Sequence, residues 1–486
     1  MKKNSIFVNT IIYTIKLFTS FLFPLVSQPY VNRILGVTQI GKYNFSFSFV
    51  SYFASIAGLG ISTYAIKEGS KFRNDKKKIE KFCQNMLTIN TFSMIVSLLI
   101  LFWVITFSKQ LGAYKNIIML LSLEIPLVTF GTNWIFNIFE DYVYITVRSF
   151  IFQILAICLM FLFVKNEQDI YWYSLISVIA AYGSNTLNLI YSRKYFKFKF
   201  WFSKDSLIHI RPILILFASS LASQIYLNLD ITMLGIIGDD YQVGIYSSAT
   251  KIYTLARMTL SAFISIILPR IAECSSDRNK YIEMYTNAHY AYLTLLIPAS
   301  FGLFGTSAFF ISVFCGEAFV NADIPLSILS IALLFSSSGS FMANLVLLVN
   351  KEEKKILLAT VVGAIVNFVG NILVLPSCGY IGAAITTLIS EVVVFFIQYN
   401  YVRNYIIASI KEKLEIFKII ISSSIILLVC SIFNKMPLDK GIMFVFQVLI
   451  SLVGYGVLSI IMKNRIVLFL IWRIRNKSKK DGKHLC

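Results

Sequence analysis

The chain has 486 residues, 57% hydrophobic and only 14% charged, with a mean hydropathy of +0.74. A soluble domain carries about 25% charged residues, so the composition excludes a soluble globular protein and defines an integral membrane protein. The net charge of +20 raises nucleic acid as a partner, but the placement of the cations, given below, accounts for it without one.

About fourteen apolar stretches are long enough to span a bilayer. They lie near 6–32, 42–66, 83–107, 112–138, 143–164, 170–192, 212–236, 243–267, 284–312, 324–349, 356–376, 380–401, 415–433 and 441–462. The N-terminal run is too long for a signal peptide and ends in no small-residue cleavage site, so it reads as the first span. That span carries a polar stripe of Asn9, Tyr13, Lys16, Ser20 and Ser27, and Pro24 and Pro29 should bend its outer half. The fourth span holds Glu124, the fifth Arg148 and the twelfth Glu391. The seventh carries Gln224, Asn228 and Asp230, and Asp239-Asp240 reads as a solvated turn after Gly238.

The eighth span, Gly244 to Ser265, has two cations inside an apolar helix, Lys251 and Arg257. At about 100° per residue, Ser247, Lys251, Thr254, Arg257 and Ser261 share an arc of roughly 120°. A charge at mid-bilayer costs roughly 2.5–3.5 kcal/mol on insertion scales, so this face meets protein or water. Two readings stay open: an ion pair with an acid on another helix, or the wall of a watery cavity that receives an anion. The stretch also has a twin. Gly41 to Ser62 aligns with it at an offset of 203, matching Gly41 with Gly244 and Tyr43 with Tyr246. Ser48 falls on Lys251 and Ser51 on Thr254, so the second repeat has a cation where the first has a hydroxyl. Internal repeats of this kind mark transporters built from two lobes. The boundaries read as an N-lobe over 1–200, a C-lobe over 201–403, and two extra spans with a basic tail over 404–486.

With the N-terminus placed in the cytoplasm, 33 of the 44 Lys and Arg fall on inward segments and seven on outward ones. Both termini are then cytoplasmic, and the basic loops face anionic lipid headgroups. The seven cysteines are scattered singly, which gives no disulfide framework and no metal site, and His289 is the only histidine worth following.

Four stretches carry a resemblance. They are PYVNRILGVTQIGKYNFSFSFVSYFASIAGLG (29–60), TNWIFNIFEDYVYITVRS (132–149), LDITMLGIIGDDYQVGIYSSATKIY (229–253) and NFVGNILVLPSCGYIGAAITTLISE (367–391). In this order they resemble the Wzx-type polysaccharide flippases of the MOP superfamily, which also holds the MATE exporters and the lipid II flippases. The resemblance implies an all-α polytopic protein with two six-helix lobes and two extra C-terminal helices, working by alternating access. It implies a cargo: an oligosaccharide repeat unit on undecaprenyl diphosphate, turned from the inner to the outer leaflet for capsule or O-antigen type polysaccharide. By place and charge, Lys16, Arg33, Arg148, Lys251 and Arg257 would meet the diphosphate. The polar residues Asn9, Tyr13, Ser20, Ser48, Ser51, Ser247 and Thr254 would meet sugar hydroxyls, with Asp230, Glu124 and Glu391 as coupling acids. No cofactor is expected beyond a coupling H+ or Na+. The expected partners are the lipid-linked cargo, membrane lipids, and a polysaccharide polymerase with other assembly proteins. A MATE-like exporter of small cations would need a net acidic cavity, whereas this one reads as basic. A membrane glycosyltransferase or polymerase would need a catalytic acid in a large outer loop. The chain therefore reads as a non-enzyme.

Overall fold

A computed structural model describes residues 22–197, 199, 204–403, 405, 410–434 and 440–468. Among these residues every regular element is helical. Eleven helical stretches are long and apolar enough to cross a membrane. In chain order the helices are α1 (Leu22–Gly58), α2 (Ile61–Gly69), α3 (Lys76–Phe107), α4 (Lys115–Leu121), α5 (Glu124–Gly131), α6 (Asn133–Ile138), α7 (Tyr142–Phe163) and α8 (Ile170–Val178). A π turn at Ile179–Gly183 leads into α9 (Asn185–Tyr191). Then come α10 (Lys204–Ile237), α11 (Asp240–Glu273), α12 (Arg278–Phe314), α13 (Asp323–Met342), α14 (Glu353–Val402), α15 (Ile410–Phe433) and α16 (Lys440–Ile461).

Two of these helices are each a pair of spans folded back. α1 is non-helical at Gly36 (φ 72°, ψ 173°), a backbone region that favours glycine. Ser27 and Tyr43 both meet Tyr173, although 16 residues of straight helix would hold them ~24 Å apart. α14 does the same at Gly379 (φ 50°, ψ −133°). Across that turn Thr386 donates to Asn371, whose amide donates to Asn367 at 3.3 Å. These asparagines are the spaced pair of the 367–391 stretch, so that motif closes a helical hairpin. The sharp break in α1 is therefore at Gly36. Pro29 sits inside the helical arm before it, because neighbouring groups can absorb a proline's missing donor.

The chain divides into two compact units, one up to Gly244 and one from Ile245. In the first, α1 packs against α3, α5 and α10. A core of Ile61, Tyr64, Met86, Trp134 and Phe136 fills the space among α2, α3 and α6. The 132–149 stretch is where the backbone breaks: Thr132 and Glu140 have φ of 43° and 58°. Asp141 accepts from Tyr195 at 2.8 Å, and Arg73 reaches Glu140 at 2.6 Å. Gly41 and Gly244, the aligned glycines of the repeat, sit in one tight crossing. A Cβ on Gly41 would come 1.7 Å from the Asp240 carbonyl oxygen, and one on Gly244 would come 2.1 Å from that of Val37. Asp240 also accepts from Tyr114 at 2.7 Å, and Asp239 accepts from the Gln242 backbone N–H. The acidic pair is thus a turn held by hydrogen bonds, with Asp239 exposed as expected and Asp240 half-buried. In the second unit, α12 packs against α13, α15 and α16, and α13 against α14.

The repeat is visible in capping as well. Asp75 accepts from the backbone N–H groups of Lys77 and Lys78 at the start of α3. Asp277 accepts from those of Asn279 and Lys280 at the start of α12. Each aspartate also pairs with the lysine three residues on. The backbone bonds from Lys78 and Lys280 hold the two carboxyls below the usual carboxylate range. A lowered folded value means that the caps stabilise above the unfolded carboxylate range, near ~3.9, and fail as pH falls through the folded value. Asp75→Ala and Asp277→Ala should speed amide hydrogen exchange in the first turn of α3 and α12, respectively, at neutral pH. Wild type should match the variants only in acid.

Candidate functional site

α11 presents the cations from the second unit. The helix is apolar enough to span, and its charged face is fixed by bonds on the neighbouring turns. Tyr246 pairs with Thr387 at 3.0 Å, and Tyr253 donates to Ser336 at 2.9 Å. These two tyrosines hold α11 against α13 and α14, which sets where Lys251 and Arg257 emerge. Arg257 Nη1 lies 3.6 Å from Glu391 Oε1 on α14. The carboxylate side is 5% exposed and the guanidinium side 30%. The pair therefore has a buried acid and a partly open cation. Both sequence readings of this face meet at Arg257: it has an acidic partner, and it still reaches the surface of its unit. Lys251 is half-buried one and a half turns earlier, and Thr254, between them, is exposed. Ser247 is buried, so the open part of the face runs from Lys251 toward the helix C-terminus.

The other named residues fall elsewhere. Lys16, Asn9, Tyr13 and Ser20 lie outside the described residues. Arg33 is exposed on α1 and donates to the Pro29 carbonyl of its own helix at 2.7 Å. Arg148 on α7 is 4% exposed inside the first unit. It donates to Asn133 at 2.5 Å, to the Ser184 carbonyl at 3.1 Å and to Asn185 at 3.3 Å. The rings of Phe136 and Tyr144 lie 5.9 and 5.5 Å from its guanidinium carbon. Asn188 completes this knot by donating to Asn133 at 3.1 Å. Acceptors and ring faces enclose Arg148 here, and in this conformation it does not line an opening. The hydroxyls of the first repeat are likewise turned inward. Ser48 meets Thr232 at 2.8 Å and the Asn228 carbonyl at 3.2 Å, and Ser51 donates to the Ser48 carbonyl. Tyr52 joins the same cluster through Thr232 at 2.9 Å. Half-buried Asp230 lies close enough to act on Tyr52 electrostatically. Glu124 is 1% exposed on α5.

The sequence reading named neither Asn133, Asn185 and Asn188 around Arg148 nor the anchoring Tyr246 and Tyr253. The signal available was polarity inside apolar spans: three asparagines within predicted membrane segments need partners. A groove of about 690 Å³ beside the start of α10, lined by Ile210, Arg211, Leu214, Ile215 and Ala218, is apolar in character. It lies on the first unit, whereas Lys251 and Arg257 belong to the second. His289 packs among the rings of Tyr285 and Phe341, as a helix-packing residue does.

Helical hairpins, broken helices and charges held inside apolar spans define a class: a multi-pass, all-α membrane protein with a transporter fold. A solved structure of the lipid II flippase MurJ in an inward closed conformation shares that fold, with a TM-score of 0.76 at 17% identity over 95% of this chain and 100% of that one. The particular group is narrower. The pattern of the polysaccharide biosynthesis protein family matches residues 6–275, more than half of the chain, and the chain belongs to that family. A putative O-antigen transporter of Escherichia coli K12 is 25% identical over 426 residues, covering 79% of this chain and 94% of that protein. A probable low-salt glycan biosynthesis flippase, Agl15 of Haloferax volcanii, is 24% identical over 190 residues. That match spans 39% of this chain and only 40% of the Haloferax protein. The resemblance to Wzx-type flippases of the MOP superfamily, drawn from four motifs, agrees with these relatives.

Proposed function

We propose that the chain is a flippase that carries a lipid-linked oligosaccharide from the inner to the outer leaflet of a bacterial plasma membrane, with the polyprenyl diphosphate held by Lys251 and Arg257. The observation that carries this reading is the α11 face, where two cations stand less than two turns apart on a spanning helix and Arg257 is still partly open beside Glu391. A diphosphate is a strong anion, and a guanidinium fork matches its oxygens. Glu391 has a definite part in this: it orients Arg257 and offsets its charge until the cargo arrives. Thr254 is the sugar-facing hydroxyl on the same strip, and Lys16 on the first span remains a third candidate cation. Arg148 is better suited to bracing the first unit than to binding cargo. The basic loops, placed in the cytoplasm, would face anionic headgroups. A transporter of this kind turns its cargo over by conformational exchange and needs no catalytic group.

The reading is tested by polymer export in cells that depend on this chain. Lys251→Ala and Arg257→Ala should each reduce export strongly at unchanged membrane levels. Arg257→Lys should be milder but still impaired, because an ammonium cannot make the bidentate contact. Normal export by the double alanine variant would remove α11 from cargo recognition.

A further inference from the structure

The backbone makes the same turn after the fourth and the tenth predicted spans. Glu140 has φ 58°, its N–H bonds the Asn137 carbonyl, and the Asp141 N–H bonds that of Phe136. Lys351 has φ 60°, its N–H bonds the Leu348 carbonyl, and the Glu352 N–H bonds that of Leu347. Both are helix ends closed by a residue in the left-handed region, where glycine is the usual choice. An acid follows each of them, and the two acids, Asp141 and Glu352, stand 211 positions apart.

In each unit that acid is bonded by a tyrosine from the end of the last span of the repeat. Tyr195 donates to Asp141 at 2.8 Å and Tyr191 at 3.4 Å. Tyr405 donates to Glu352 at 3.2 Å. Tyr191 and Tyr195 align with Tyr401 and Tyr405, both at an offset of 210. A lysine lies over each pair of rings. Lys194 Nζ is 5.2 and 5.4 Å from the ring centres of Tyr191 and Tyr195, and Lys355 Nζ is 5.2 and 6.0 Å from those of Tyr401 and Tyr405. The two lysines are not equivalent in the repeat. Lys194 comes from between the tyrosines, whereas Lys355 comes from the first turn of α14 and also meets Glu352 at 2.8 Å. The same cluster is therefore built twice, once in each compact unit, with its cation drawn from different elements. The turn alone does not require it. At a third left-handed helix end, Lys463, an asparagine stands in the acid's place, and Asn464 accepts from the Ile466 N–H.

A residue other than glycine in the left-handed region stores strain, which persists only where neighbouring contacts hold it, and such strain gathers at switch regions. Here part of the hold comes from side chains that are half-buried or exposed, Glu352, Lys355 and Lys194. Contacts of that kind belong to the part of a fold that opens first. We propose that the two clusters are matched latches, one in each unit, that open together when the chain changes conformation. In the closed latch the tyrosine–acid bond pins the turn to the end of the repeat's last span. On opening, the acid leaves the tyrosines, the left-handed residue relaxes, and the two spans joined by the turn change their angle. Each unit thus changes shape internally during the exchange. The proposal rests on the transporter reading for the existence of that exchange, and on no particular cargo.

The test is amide hydrogen exchange, followed by mass spectrometry, on the full chain in lipid nanodiscs without cargo. Tyr195→Phe removes the donor to Asp141, and loss of a hydrogen bond to a charged group should speed exchange at residues 140–142 about tenfold or more. Because the latches open together, it should also speed exchange at 351–353, and Tyr405→Phe should do the converse. Lys351→Gly removes strain without removing a bond of the cluster, and it should slow exchange at both turns about two- to fivefold. Exchange in the buried middle of α3, around Met86, should be unchanged in all three variants. A change confined to the mutated unit would make each cluster a local helix cap and overturn the proposal. So would unchanged exchange at both turns, or acceleration that spreads into the middle of α3 as general loosening. Neither Lys251 nor Arg257 is altered and no export is measured, so failure of the cargo reading would be seen separately.

Discussion

Gly41→Val and Gly244→Val are expected to lower the melting temperature of the purified chain strongly, with Gly41→Ala close behind. At both positions the new Cβ would overlap a backbone carbonyl oxygen, that of Val37 or Asp240. Backbone cannot move aside by changing a rotamer, so the helices must separate. Overpacking costs about 1–3 kcal/mol when side chains can yield, and the cost here should be at or above the top of that range. Gly58 supplies the control. A Cβ there meets nothing within 4 Å, so Gly58→Ala should be neutral or stabilising by about 0.5–1 kcal/mol through helix propensity. Equal melting of the Gly41, Gly58 and Gly244 variants would show that the crossing is not tight.

Arg148→Met should also unfold the first unit readily. The guanidinium satisfies Asn133 and the Ser184 carbonyl in a site from which water is excluded. Its loss strands those acceptors, and breaking a buried charged network by removing one partner costs about 3–5 kcal/mol. Arg148→Lys should recover only part of this, since one ammonium cannot reach both Asn133 and Ser184 while lying over Phe136 and Tyr144. Thermal unfolding of nanodisc samples followed by tryptophan fluorescence would report it, because Trp134 sits in the adjacent core. If Arg148→Met melts like wild type, Arg148 is free to act elsewhere, and its role in the cargo site reopens.

Much of the architecture was legible because a bilayer allows few solutions. Spans follow from hydropathy, and the offset of 203 already paired Gly41 with Gly244, although only the structure shows that both lie in one crossing. The capping aspartates show the limit of that alignment. Asp75 and Asp277 stand 202 apart, one residue out of step, yet they cap equivalent helices in the same way. The motif at 367–391 was legible as a resemblance, while its physical purpose, closing a hairpin at Gly379, was not. Helical periodicity says which residues share a face and nothing about which face another helix covers. Ser48 and Ser51 illustrate this, since Ser48 bonds Thr232 and the Asn228 carbonyl while Ser51 turns back to the Ser48 carbonyl of its own helix. The Arg257–Glu391 pair could be suspected from composition but not located, because its partners are separated by most of α12, α13 and α14.

The central claim is that α11 recognises the anionic head of a lipid-linked cargo. Its most direct test is the binding of a polyprenyl diphosphate, compared with the uncharged polyprenol, to purified wild type, Lys251→Ala and Arg257→Ala. Charge-assisted hydrogen bonds contribute roughly 1.5–3 kcal/mol each, and ~1.4 kcal/mol is a decade in affinity. Each variant is therefore expected to bind the diphosphate about 10- to 150-fold more weakly and the polyprenol as wild type does. Diphosphate binding by the folded double variant at wild-type affinity would contradict the claim.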